Sequence, residues 1–285
     1  MSKLPDTYFS LFQQQVDACQ IADRDEHAQT RRKLNREIRE CISALKQVAN
    51  EEDPEVWYAL GHASTFFEKN ISQANHWYQK AADAGHTQAI TKMGNRLRQS
   101  QHPEDQEQSR QWLTQAAKQG DAYAMLCIGF AHRDGKGVSK NLQEAKNWFI
   151  KALDAGEPSA PEQLADLLHK HLHDPAQALP YYLKAQQHGV SCHEALAEIY
   201  NTRGTTAYNP HKAKDHYEIL LRRGQKSAPW VMLELAKLHA SGQVSDNGVT
   251  HARKWLYQII TQCPKSLSTR KKAERLLEKL DESLF

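Results

Sequence analysis

The chain has 285 residues, 40% of them apolar and 8% aromatic, with a formal net charge of +3 at pH 7. That content supports a continuous buried core, whereas so small a charge on so long a chain excludes a molecule that holds nucleic acid or membranes by bulk electrostatics. No apolar run approaches the roughly 18 residues of a membrane span, and the opening Met1-Ser2-Lys3-Leu4-Pro5-Asp6 lacks the apolar core of a secretory signal, so a cytoplasmic location is expected.

Residues 6–22 and 27–49 read as two helices. Within the second, Ile38, Cys41, Leu45 and Ala49 keep the spacing of a frame that then recurs down the chain. The frame is a small residue, an aromatic three later, a small or apolar residue four after that, and a Gly four further on. It reads Ala74, Trp77, Ala81, Gly85; Ser109, Trp112, Ala116, Gly120; and Ala145, Trp148, Ala152, Gly156. It continues as Ala178, Tyr181, Ala185, Gly189; as Ala213, His216, Leu220, Gly224; and as Ala252, Trp255, Ile259, Cys263. The aromatic positions are 35, 36, 33, 35 and 39 residues apart, the period of a helical-repeat array.

Before each frame a large apolar residue precedes a small one: Leu60-Gly61, Met93-Gly94, Ile128-Gly129, Leu164-Ala165, Leu196-Ala197 and Leu235-Ala236. Positions four before, one before and three after the small residue share one helical stripe, as in Trp57, Leu60 and Ser64. Each repeat is therefore a pair of helices. The second ends at the Gly, which tolerates the left-handed conformation that stops a helix. Trp77, Trp112, Trp148 and Trp255 share one repeat position and are expected to be core. Leu267, Ala273, Leu276, Leu277 and Leu280 then form the apolar face of a last, Lys- and Glu-rich helix, whose Arg270-Lys271-Lys272 is read as a solvated face. The expected organisation over 1–285 is a single all-α solenoid: a degenerate helix pair at 6–53, six repeats at 54–266 and a capping helix at 267–285.

The third repeat runs Asp134-Gly135-Lys136-Gly137-Val138-Ser139-Lys140-Asn141-Leu142-Gln143-Glu144-Ala145-Lys146-Asn147-Trp148-Phe149 and on to Ala152 and Gly156. It resembles the Sel-1-like repeats of the tetratricopeptide-like superfamily, with their Gly-x-Gly-Val loop followed by Ala-x-x-Trp-Tyr and Ala-x-x-Gly. The resemblance covers about 54–266 and implies a right-handed α/α superhelix that acts as a non-enzymatic adaptor. Some bacterial members of this group neutralise a cognate toxin, and a few secreted ones are credited with β-lactam hydrolysis; these are the alternatives to the adaptor reading. A bacterial protein is expected.

Residue chemistry gives the hydrolase little support. Gly135-Lys136-Gly137 lacks the first Gly and the preceding strand of a phosphate-binding loop, and His193-Glu194 has Ala197 where a zinc-protease motif needs His. Neither a Gly-x-Ser-x-Gly elbow nor a recurring Cys pair is present. Cys19, Cys41, Cys127, Cys192 and Cys263 therefore suit a reducing compartment, with Cys127 and Cys192 as buried inert thiols. His169, His171, His173 and Asp174 are the best metal candidate, but they are read as helix-end side chains, and neither metal nor cofactor is expected.

The candidate surface is the stripe beside the core stripe of each first helix, expected to line the concave face. Its site residues are Tyr58, His62, Asn95, Arg98, Leu126, Phe130, Arg133, Glu162, Asp166, Glu194, Glu198 and Lys237. Leu126 and Phe130 are expected to be exposed between Arg98 and Arg133, with four carboxylates on two adjacent first helices. The expected partner is a protein or peptide that inserts an apolar anchor near Phe130 and offers Lys or Arg to the acidic repeats, with neither nucleic acid nor membrane as partner. An RNA-reading solenoid is disfavoured by those carboxylates. The chain itself is expected to be a monomer.

Overall fold

A computed structural model describes residues 3–20, 26–49, 52–222, 229–244, 247–264 and 267–282. Gly224 of the fifth frame and the side chain of Cys19 lie outside the described residues. All regular structure among the described residues is helical. The chain divides into two compact units, residues 1–157 and 158–285.

Unit 1 is a stack of antiparallel helix pairs: α1 (Leu4–Gln20) with α2 (Glu26–Gln47), α3 (Pro54–Phe66) with α4 (Ile71–Asp83), α5 (Thr87–Leu97) with α6 (Pro103–Lys118), and α7 (Ala122–Asp134) with α8 (Leu142–Asp154). Unit 2 pairs α9 (Ala160–Asp166), continued by a wider π-type turn at Leu167–His171, with α10 (Pro175–Gln187). It then pairs α11 (His193–Asn201) with α12 (Pro210–Arg222) and α13 (Pro229–Ala240) with α14 (Gly248–Gln262), and α15 (Ser268–Glu282) packs on α13 and α14.

The frame has a direct physical meaning. Gly85, Gly120, Gly156 and Gly189 take φ between 84° and 89°, the left-handed cap expected of them. The amide after each Gly donates back to the frame alanine: His86 to Ala81 at 3.0 Å, Asp121 to Ala116 at 3.1 Å, Glu157 to Ala152 at 2.9 Å and Val190 to Ala185 at 3.1 Å. Those alanine carbonyls would otherwise lack an intrahelical partner. At the other end, Asp53, Asn70, Asp121, Asn141 and Asp174 accept backbone amides as N-caps.

One expectation is corrected by a single position. The tryptophans of the frame are half-buried, and the residue after each aromatic position fills the core: Tyr78, Leu113, Phe149, Tyr182, Tyr217 and Leu256 are all buried. The reason is the small residue on the first helix. A Cβ added at Gly61 would lie 2.6 Å from the Tyr78 ring, at Gly94 2.9 Å from Leu113, and at Gly129 2.4 Å from the Phe149 ring. Glycine is what lets the next helix's large side chain reach the backbone. Trp77, Trp112 and Trp148 border that core, with Lys80 4.2 Å over Trp57 and Lys151 4.1 Å over Trp148. In both, the ammonium nitrogen itself sits over the ring face, a cation–π contact.

Candidate functional site

The first helices of unit 1 do not offer the surface expected from sequence. In the first repeat, α1 lies on α3: the Phe9 ring is 5.7 Å from Tyr58 and 5.3 Å from His62, and Phe12 is 4.6 Å from His62. Tyr58 is also stacked on His86 at 4.5 Å. His62 accepts or donates a 2.9 Å hydrogen bond with the Tyr8 hydroxyl. Burial, with a smaller push from Lys92, lowers its pKa to about 4. Tyr58 and His62 are therefore joints between the N-terminal pair and the first repeat.

In the next two repeats Asn95, Arg98, Phe130 and Arg133 do come together, but around each other. The Phe130 ring lies between the guanidinium groups of Arg98 at 5.5 Å and Arg133 at 4.9 Å, with its edge toward Phe149. Arg98 is 7% exposed and donates to Asn95 Oδ1 at 3.1 and 3.3 Å, while Asn95 donates to the Tyr123 hydroxyl at 3.1 Å. Asp134 accepts from Arg133 at 2.7 Å and faces Arg98 at 3.8 Å. Burial opposes ionisation of Asp134, but the Arg133 hydrogen bond and the charges of Arg133, Arg98 and Lys136 outweigh it and hold the carboxyl below its usual range. Both arginines are thus already paired. Leu126 is 2% exposed, against the expectation that it lies open on the stripe. A first helix in a stack packs against its own partner helix and against neighbouring repeats, so the stripe next to its core stripe is partly covered.

Unit 2 assembles a different arrangement. A cleft of about 270 Å³ is lined by Glu162, Asp166 and Lys170, by Tyr182 on α10, and by Ser191, Cys192, Glu194, Ala195 and Glu198 at and along α11. All four acidic residues anticipated for this unit converge there. Asp166 is tied down, accepting from the Tyr182 hydroxyl at 2.5 Å and pairing with Lys170 at 2.9 Å. Lys170 is the one cation in the lining, against four carboxylates. Glu198 shows the imbalance: burial first, then Glu194 and more distant Glu234, raise its pKa against the opposing pull of Lys170. Burial, with Glu162 and Asp166, pushes the Cys192 thiol up to about 11. Lys237 sits apart, paired with Glu234 at 2.6 Å.

Sequence reasoning missed Lys170 and Tyr182. Lys170 was legible, since it stands four residues after Asp166 in helical register. Tyr182 follows the frame position at Tyr181 and belongs to the core set described above. Among the described residues no group of three or more His, Cys, Asp or Glu is placed to hold a metal ion. His169 lies edge-on to Tyr182 at 6.0 Å, while His171 and His173 are exposed. No helix of the described residues is long and apolar enough to cross a membrane.

Comparisons with known proteins agree with this geometry at the level of the repeat. The family model described as "Sel1 repeat" matches residues 57–86, 87–121 and 121–157, the three pairs α3–α4, α5–α6 and α7–α8. Chitin synthase regulatory factor 3 of Schizosaccharomyces pombe is 32% identical over 105 residues, covering 35% of this chain and 11% of that protein. ERAD-associated E3 ubiquitin-protein ligase component HRD3A of Arabidopsis thaliana is 38% identical over 72 residues, 25% of this chain and 10% of that protein. The chain thus matches about a tenth of the length of these curated relatives. The crystal structure of a Sel1 repeat protein from Oxalobacter formigenes aligns over 94% of this chain and all of that chain with a TM-score of 0.57 at 19% identity, a likeness of fold.

Proposed function

We propose, from the premise that this chain carries Sel1 repeats, that it is a non-enzymatic protein-interaction scaffold whose unit 2 cleft receives a Lys or Arg side chain of a partner protein. The observation that carries the reading is the convergence of Glu162, Asp166, Glu194 and Glu198 on one cleft with Lys170 as the single cation in its lining. Desolvation first and then the Glu194 carboxylate raise the pKa of Glu198, so an incoming ammonium or guanidinium relieves repulsion as well as adding a charge-assisted hydrogen bond. The names of the two curated relatives, a regulatory factor and a ligase component, support a role in which the repeats join one protein to another.

In this reading the apolar anchor near Phe130 is dropped, because that ring is sandwiched by two paired arginines. Charge attraction then governs encounter, and the complex weakens as salt rises. The test uses a fluorescein-labelled oligolysine peptide and its oligoglutamate counterpart, followed by anisotropy. The lysine peptide should bind, the glutamate peptide should not, and Glu194→Lys with Glu198→Lys should abolish the signal while leaving the melting curve intact. Equal binding of the lysine peptide by the double variant would remove the cleft from the interaction.

A further inference from the structure

Two imidazole pairs lie in unit 2, one in each of its last two repeats. His193, at the start of α11, and His216, on α12, bring their Nδ1 atoms to 2.9 Å with ring centroids 5.1 Å apart. In such a contact one nitrogen donates and the other accepts, so the two Nδ1 atoms hold one proton between them. His216 stands at the frame position that carries Trp or Tyr in the other repeats, and the Tyr200 ring lies parallel to it at 5.7 Å. One repeat on, His239 of α13 and His251 of α14 face each other with ring centroids 5.1 Å apart. The first-helix members of both pairs are buried, His193 to 6% and His239 to 5% exposure.

We infer that these two pairs make the last two repeats of unit 2 a proton-sensitive element, in which charging both imidazoles of a pair breaks their contact and loosens the first helix of the repeat from the second. Like charges at this separation repel strongly when one member of each pair is buried, as His193 and His239 are. Because α11 also carries Glu194 and Glu198, loosening it disperses the carboxylates of the cleft. That last step rests on the docking role proposed for the cleft, and the first does not.

The surrounding charges do not cancel the effect. For His216, burial is the largest influence and lowers its pKa; His193 and Lys212 act the same way, with Asp215 alone opposing. For His239, burial again leads, His251 and Lys214 lower the pKa further, and Glu218 opposes. The other elements packed here bring Glu194 and Glu198 on α11, Glu234 paired with Lys237 on α13, Tyr182 bonded to Asp166 from α10, and the Arg253–Asp281 pair between α14 and α15. A histidine depressed below 6.5 in the folded chain contributes stability that is present above that pH and is lost as pH falls through the folded value.

Hydrogen exchange on the full chain tests this, with protection corrected for the intrinsic pH dependence and compared at about pH 7.5 and about pH 5.5. Protection of α11 and α12 should fall by up to about tenfold, the change that one fully linked proton produces over a pH unit. His216→Trp restores the aromatic of the frame and should remove the fall at α11 and α12, and His239→Leu should remove it at α13 and α14. Constant wild-type protection across the two conditions, or an equal fall in both variants, overturns the inference. Loss of the pH effect leaves oligolysine binding at pH 7.5 untouched, so the two readings fail separately.

Discussion

Phe149→Ala should destabilise unit 1 more than Trp148→Ala, although the tryptophan is the larger side chain and holds the recurring position. Phe149 is fully buried against the Gly129 backbone, where an added Cβ would come within 2.4 Å of its ring. Removing such a ring leaves a cavity that the close-packed helices cannot collapse into, a cost of about 3–5 kcal/mol. Trp148 is half-buried, with the Lys151 ammonium 4.1 Å over one face, so only part of its area leaves water on folding, and its truncation should cost roughly half as much. For a unit of this size about 3–5 kcal/mol corresponds to a fall in Tm of roughly 6–20 °C. Urea unfolding followed by far-UV circular dichroism, with slopes checked for constancy, gives both values without relying on tryptophan emission. A Trp148→Ala loss equal to or larger than that of Phe149→Ala would refute the one-residue reassignment of the core and the close approach at Gly129 on which it stands.

Other outcomes follow from the same structure. Gly120→Ala forces an L side chain into φ 89° with nothing crowding it, so the cost is backbone strain alone, about 1 kcal/mol, visible as a small fall in urea midpoint. His62 is held to about 4 by burial, so the stability it contributes is complete above about pH 6.5 and declines as pH falls toward 4. His62→Leu should flatten that acid limb in thermal melts of unit 1, and an unaltered limb would show that the aromatic cage does not govern it. Cys127, buried and with its thiol raised to about 12, should resist iodoacetamide at pH 8 in the folded chain while half-buried Cys263 reacts first, as peptide mapping would show.

The periodic frame and its glycine caps were legible because they are local: a stopped helix needs only its own last turn. The off-by-one at Trp77 and Trp148 arises because Tyr78 and Phe149 are also large and aromatic, and adjacent helical positions differ by only about 100° in direction. Pattern alone does not say which of two such neighbours points at the glycine. Tyr58 and His62 differ from the expected open surface for another reason, since their cover comes from Phe9 and Phe12 on α1, about 50 residues away in sequence. The acidic quartet was legible because each pair is four residues apart on one helix, a relation any α-helix preserves. Its counter-ion Lys170 was overlooked beside the histidines that flank it.

The residues after the cap glycines Gly85 and Gly120 have a second task. His86 and Asp121 donate their amides back to Ala81 and Ala116, and through their side chains they also accept the amides of Ala89 and Ala124 as N-caps of α5 and α7. One residue thus closes one helix and opens the next, so the join between repeats has no spare length. An inserted residue after Gly85 or Gly120 would separate the two tasks and rotate every downstream pair out of phase, whereas the loop at Ser139-Lys140 inside a repeat has room to grow. Length variation around these two joins is confined to the turn between the two helices of a repeat, whereas the next two joins carry extra residues, with the N-caps of α9 and α11 at Ser159 and Cys192, beyond Gly156 and Gly189.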